Sequence, residues 1–201
     1  MTRLFQIVVL TLFLATTSNV GAQNSSPVRV RGTVLSIEGT DLAVKSRTGE
    51  DVRIRLAEGW SAGGVVPAKL TDIKPGTFVG IASTPQPGGP SRAIEVLIFP
   101  EAMRGTGEGH YPWDLQPEST MTNATVASDV QSVDGRALTL SYKAGEQKII
   151  VGPETPIVTF APAEKSDIQP GAAVFVPTQR QSDGTLQATR VLVGKGIVPP
   201  M

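Results

Sequence analysis

The chain has 201 residues, a formal net charge of +0 and no cysteine. The missing cysteines exclude disulfides, thiol catalysis, thiolate zinc sites and iron–sulfur clusters. The charge balance supplies no global field to recruit nucleic acid or an anionic membrane. Against only 5% aromatic residues stand 21 glycines and 16 prolines, the profile of short strands separated by frequent turns.

Taken in chain order, the first element is an export signal. Arg3 supplies a positive charge, Leu4 to Ala15 is an apolar run broken only by Gln6 and Thr11, and a short polar stretch ends at Val20-Gly21-Ala22. This order is that of a secretory leader, with cleavage expected after Ala22. The alternative is a leader retained as an uncleaved anchor, against which the apolar core is shorter than the about 20 apolar residues a spanning helix needs. The mature chain is therefore expected in the periplasm or secreted, and not membrane-spanning.

Residues 27–99 read as a first β-rich unit. Val28, Val30 and Val34 alternate loosely with polar residues, and Glu38-Gly39 makes a turn. Leu42 and Val44 alternate next. After a turn at Thr48-Gly49-Glu50, Val52, Ile54 and Leu56 alternate with Arg53 and Arg55. Period-2 alternation predicts a three-stranded meander with one buried face. The stretch from Pro67 to Ile73 permits one short helical turn before Lys74-Pro75-Gly76 breaks it. Phe78 to Ile81 and Ala93 to Phe99 then form a hairpin. Residues 100–124 form an irregular linker rich in glycine and aromatic residues, and residues 125–196 repeat the first unit. Val34 to Val44 matches Val130 to Leu140, Ile54 matches Ile150, and Asp72-Ile73-Lys74-Pro75-Gly76 matches Asp167-Ile168-Gln169-Pro170-Gly171. Matches that fall in one order on turn glycines and alternating apolar positions indicate an internal duplication. Three strands, a helical turn and two strands predict an all-β chain of two tandem five-stranded OB-like barrels, each closed on itself. A single two-sheet sandwich built from both halves is the alternative.

The segments Gly32-Thr33-Val34-Leu35-Ser36-Ile37-Glu38-Gly39 and Asp72-Ile73-Lys74-Pro75-Gly76 resemble bacterial exported domains of unknown function that fold as small OB-like barrels. The segment Met103 to Leu115 resembles a group of exported bacterial proteins that sometimes carry a metal-transporter permease label. The label itself does not describe this chain, because a permease needs several spanning helices. The resemblance implies a fold and, at most, an accessory role near transport; it brings no catalytic residues.

Two constellations are candidate sites. The linker holds the only histidine and one of two tryptophans. Its Glu108, His110, Tyr111, Trp113 and Asp114 offer a first shell for a cation or a small polar ligand; the competing reading is that Tyr111, Trp113 and Leu115 plug the groove between the barrels. The second constellation is a basic face, with Arg29, Arg31, Lys45, Arg47, Arg53 and Arg55 at alternate positions on three strands, opposite the valines. It suits an anionic ligand, or is simply a solvated outer face. Catalysis has little to stand on. One histidine cannot build a His-Glu-x-x-His zinc site, no Gly-x-Ser-x-Gly elbow exists, and no phosphate-loop lysine follows Gly105 to Gly109. Asp72 and Asp167 precede equivalent Pro-Gly turns and are explained by bracing them. The expectation is an exported, non-enzymatic binding or scaffold protein without a cofactor, its partner an envelope protein or an anionic ligand rather than nucleic acid. The alternatives are a structural envelope or assembly protein, a carboxylate- and histidine-based enzyme, and a metal-binding accessory protein.

Overall fold

The computed structural model describes residues 27–132 and 135–199. The expected leader lies outside the described residues, as do Val133 and Asp134 of the second Gly-turn match. The chain is all-β. Its strands are β1 (Val28–Glu38), β2 (Asp41–Ser46), β3 (Asp51–Pro67), β4 (Phe78–Gln86), β5 (Gly89–Ile98), β6 (Gly109–Pro112), β7 (Thr120–Ser132), β8 (Gly135–Tyr142), β9 (Gly145–Val151), β10 (Ile157–Ala161), β11 (Ala173–Arg180) and β12 (Leu186–Gly194). Single 3-10 turns stand at Leu70–Asp72, Glu101–Met103 and Lys165–Asp167.

The alternating valines do what their period requires. Val30, Val34, Leu42, Val44, Ile54 and Leu56 all face one core, while Arg53 and Arg55 point outward. Each fully buried aliphatic side chain contributes about 1.5–3 kcal/mol. The strands around this core are not those of one half, however. β1, β2 and β3 pair in order, β1 continues into β11, β11 into β12, and β12 returns to β3 in parallel register, closing a five-stranded barrel. Val174, Val176, Val191 and Val193 complete its core.

The remaining hairpin of the first half goes elsewhere. β4 pairs with β7, which leads through β8 to β9, and β9 meets β5 in a short parallel contact of Ser91 with Ile149 and Arg92 with Ile150. Val79, Ile81, Val96, Ala124, Leu138, Leu140 and Ile149 form the apolar interior of this second set. The expectation that each half closes on itself is therefore corrected: the meander of one half is completed by the hairpin of the other. The cause lies in β3. Residues 57–60 loop out of register against Thr189, and the strand then resumes at Ser61 and runs to Pro67 beside β12 and β10. A strand expected to stop at Leu56 thus carries the chain out of the first barrel. β10 crosses it in antiparallel register, Val158 opposite Pro67 and Ala161 opposite Gly64, and also pairs with β5. A third cluster of Val65, Phe78, Leu97, Phe99, Val158, Phe175 and Leu192 fills the junction.

The expected helical turns are the 3-10 turns at Leu70–Asp72 and Lys165–Asp167. Asp72 accepts a hydrogen bond from the Lys69 N–H at 2.9 Å, and Asp167 accepts one from the Glu164 N–H at 2.9 Å. The two aspartates brace their turns, and Ile73 and Ile168 just after them are buried. Ile73 enters the core of the second set and Ile168 that of the barrel, so both turns have crossed over with their hairpins. At the following Pro-Gly turns, Gly76 and Gly171 both take φ of +89°, a conformation a side chain resists. The Gly171 N–H bonds the Val34 carbonyl and the Gly76 N–H bonds the Val126 carbonyl. Val34 thus corresponds to Val126, not to Val130 as the sequence match suggests; a register shift follows each, at Val34/Ser36 and Val126/Ser128. Likewise the buried partner of Leu138 is Ile149, as that of Leu42 is Ile54, so Ile54 corresponds to Ile149 rather than Ile150.

Candidate functional site

The outward residues of β1, β2 and β3 open onto a concavity of about 1110 Å³ at the barrel end where β1 begins. The β2–β3 and β11–β12 turns form its rim. Arg29, Arg31, Arg47, Arg53 and Arg55 line it, joined by Arg180. Five of the six residues of the expected basic face therefore share one surface. Lys45 does not line it; it forms an ion pair with Asp51.

The linker supplies one wall. It is not irregular throughout, because His110 and Tyr111 lie on β6, which pairs with β7. Alternation along β6 divides the expected cluster. His110 Nδ1 lies 2.9 Å from Thr122 Oγ1, and its ring stacks on Tyr142. Glu108 accepts a hydrogen bond from the Lys143 N–H at 2.9 Å. Tyr111 accepts one from Asn123 Nδ2 at 3.2 Å, and burial raises the pKa of its hydroxyl. Beyond β6, Trp113 and Asp114 leave the sheet and reach the basic face. Glu108 and His110 thus fasten the linker to β7 and β8, while Trp113 and Asp114 meet the arginines. Among the described residues no three His, Asp or Glu side chains gather as metal ligands.

Where the two constellations meet, the geometry is specific. The Arg29 guanidinium lies 3.8 Å above the centre of the Trp113 ring, a cation–π contact. Arg31 Nη2 donates to Asp114 Oδ1 at 2.9 Å, and Arg29 Nη1 stands 3.6 Å from the same oxygen. Arg31 also covers the ring of Phe175, at 5.2 Å. Partial burial works against ionising Asp114, but the hydrogen bond from Arg31 and the charges of Arg31 and Arg29 prevail and hold its pKa below the ordinary value. Elsewhere on the surface Arg55 pairs with Asp41 at 3.3 Å. Arg53 forms no ion pair among the described residues.

Behind Arg31 lies a residue that sequence reasoning missed. Glu95 on β5 is fully buried, and neither carboxyl oxygen has a hydrogen-bond partner among the described residues. Burial pushes its pKa up to about 8, against the opposing charges of Arg31 and Arg47. A signal was present: Glu95 is the one charged residue in the apolar run from Ala93 to Phe99. Register places Glu95 opposite Ala82, Ala82 opposite Met121, and Met121 opposite Tyr111. One row across four strands therefore points toward the junction. Trp113 Nε1 is also buried without a partner among the described residues.

No helix among the described residues is long and apolar enough to cross a membrane. No protein-family model, curated protein or solved structure matches the chain.

Proposed function

We propose that this is an exported, non-enzymatic binding protein in which a duplicated module has exchanged hairpins, giving a pair of small OB-like barrels, and that the arginine-lined concavity takes an anionic polymer. The observation that carries this reading is that five arginines line one open concavity of about 1110 Å³: Arg29 and Arg31 from β1, Arg53 and Arg55 from β3, and Arg47 from the turn between β2 and β3. Arginine suits this task because its planar fork binds oxyanions bidentately and keeps its charge at any physiological pH. The concavity is too wide for a single small anion and too open to exclude water, which favours an extended ligand over a reaction centre. Support for duplication comes from the β4–β5 and β11–β12 hairpins, which keep one mutual register at 95 positions' separation: Val79 stands opposite Ile98 as Val174 does opposite Val193, and Gly80 opposite Leu97 as Phe175 does opposite Leu192. The leader-like N-terminus supports export.

Titration of the purified protein with polygalacturonate at low salt, followed by anisotropy of a labelled polymer, tests this reading. Saturable binding that weakens with salt is expected, because each neutralised charge releases counterions. The variant R53A/R55A should bind about tenfold more weakly. Absence of binding at low salt, or equal binding by R53A/R55A, would overturn the proposal.

A further inference from the structure

Arg29, Arg31 and Trp113 already hold an oxyanion, and it belongs to the chain itself. Asp114 Oδ1 receives the Arg31 hydrogen bond at 2.9 Å and lies 3.6 Å from Arg29. The Trp113 ring fixes the Arg29 guanidinium from the other side at 3.8 Å. Asp114 is attached by a short segment beyond β6, and its side chain is 44% exposed while that of Arg31 is 8% exposed. A buried guanidinium is costly to leave without a counter-charge. Asp114 lies in the bend between β6 and β7, whose backbone is held by the Trp113 N–H on the Ser119 carbonyl, so its half-exposed carboxylate can be exchanged for another of the same chemistry without unfolding the bend. Asp114 and Leu115 stand on the wall of the same concavity as Arg53 and Arg55, so a polymer lying along those arginines would reach Asp114 next.

We infer that Arg29, Arg31 and Trp113 form a subsite for one carboxylate of the ligand, which Asp114 occupies as an internal competitor until the ligand displaces it. This rests on the reading of the concavity as a polyanion site and adds to it the ligand chemistry and a built-in threshold for binding. Carboxylate is favoured over phosphate because the group seated there is a carboxylate, held through one oxygen shared by two guanidiniums. Displacement leaves the count of charges at the arginine pair unchanged: the incoming carboxylate replaces Asp114, which moves into water.

The test compares wild type, D114N, R31A and D114N/R31A by titration with polygalacturonate, with polyphosphate of matched charge as a second probe. D114N should bind polygalacturonate about tenfold more tightly than wild type, since the competing charge is gone. The gain should vanish in the R31A background, so that D114N/R31A and R31A bind alike. A merely structural role for Asp114 would give no such dependence on Arg31. Thermal unfolding of each variant verifies that the fold is intact, and Asp114→Glu, which restores the carboxylate, should return the affinity toward wild type. If D114N binds no more tightly, while R53A/R55A still weakens binding, the competitor is overturned and the polyanion site stands. If no variant binds either polymer, the polyanion site itself fails. A gain in D114N for polyphosphate but not for polygalacturonate would overturn the assignment of carboxylate.

Discussion

At the scale of single residues, Glu95 dominates the electrostatics of the junction. A buried carboxyl group with no hydrogen-bond partner among the described residues gains little from ionising despite the nearby guanidiniums of Arg31 and Arg47. Desolvation outweighs the Coulomb attraction, as it does for most buried ions that lack direct contacts. The consequence for stability has a definite sign. The folded-state pKa of about 8 lies above the ordinary value of 4.5. Between those values the folded protein holds a proton that the unfolded chain has released. The stability that Glu95 contributes is therefore fully present below about pH 4.5 and is lost as pH rises through 8, a swing of at most about 5 kcal/mol. Chemical denaturation from pH 5 to pH 9 should show wild type losing stability across this window, while Glu95→Gln stays nearly flat and is the more stable at pH 9. A wild-type profile as flat as that of Glu95→Gln would mean that Glu95 is ionised and paired in the folded protein. Asp114 acts in the opposite sense: its pKa is depressed, so its contribution is present above the ordinary carboxylate range and is lost only in acid.

At the scale of elements, the Pro-Gly turns show how a repeated motif is tied to its partner. Gly76 and Gly171 share φ of +89°, and each hands its N–H to a valine carbonyl of the other half. Open space surrounds the position a Cβ would take at either glycine. Substitution therefore tests conformation alone. Gly171→Ala and Gly76→Ala should each lower stability by about 1–2 kcal/mol in urea denaturation with an unchanged m-value. No loss in either variant would contradict the role assigned to these turns. Much at this scale was legible in the sequence. The alternation of Val52, Ile54 and Leu56 with arginines marked β3, and the duplicated Asp-Ile-x-Pro-Gly marked both braced turns. Three elements were not legible. The extension of β3 past Leu56 has Gly63 and Gly64 where apolar alternation would be read: a Cβ on Gly63 would run into the Leu192 and Arg190 side chains, and one on Gly64 would crowd the carbonyls of Ala161 and Pro162. β10 is only five residues long, and β6 is hidden among the glycines and Pro112 of the linker. The candidate residues were found, but their grouping was not. Period-2 geometry placed five of the arginines on one face, yet nothing local indicates that Trp113 and Asp114 fold onto them, or that His110 turns away to Thr122.

At the scale of the whole molecule, exchange of hairpins changes what each half can be. The first-half meander of β1, β2 and β3 has its missing wall supplied by β11 and β12, and β7, β8 and β9 receive theirs from β4 and β5. Neither half can be removed without opening the other's core, so unfolding should be a single cooperative event despite the repeated motifs. The sequence could not reveal this, because β4 and β11 carry the same apolar pattern and each suits either meander. The choice is made by the path of β3 and β10 through the junction, where Phe78, Phe99, Phe175 and Leu192 pack. The exchange also positions the candidate site: Arg31 packs on Phe175 of β11 from the other half, and the rim at Arg180 and Asp183 is likewise second-half sequence. The measurement that bears most directly on this architecture is disulfide trapping in a chain that has no cysteine of its own. Thr33 lies opposite Ala173 across β1 and β11, within the reach of a disulfide. Phe78 is the residue 95 positions before Ala173 and would face Thr33 if the first half closed on itself. Under mild oxidation the variant T33C/A173C should form an intramolecular bond, seen as faster migration on a non-reducing gel and a higher midpoint of unfolding, while T33C/F78C should not. Failure of T33C/A173C to close within one chain, with closure of T33C/F78C in its place, would contradict the exchanged architecture.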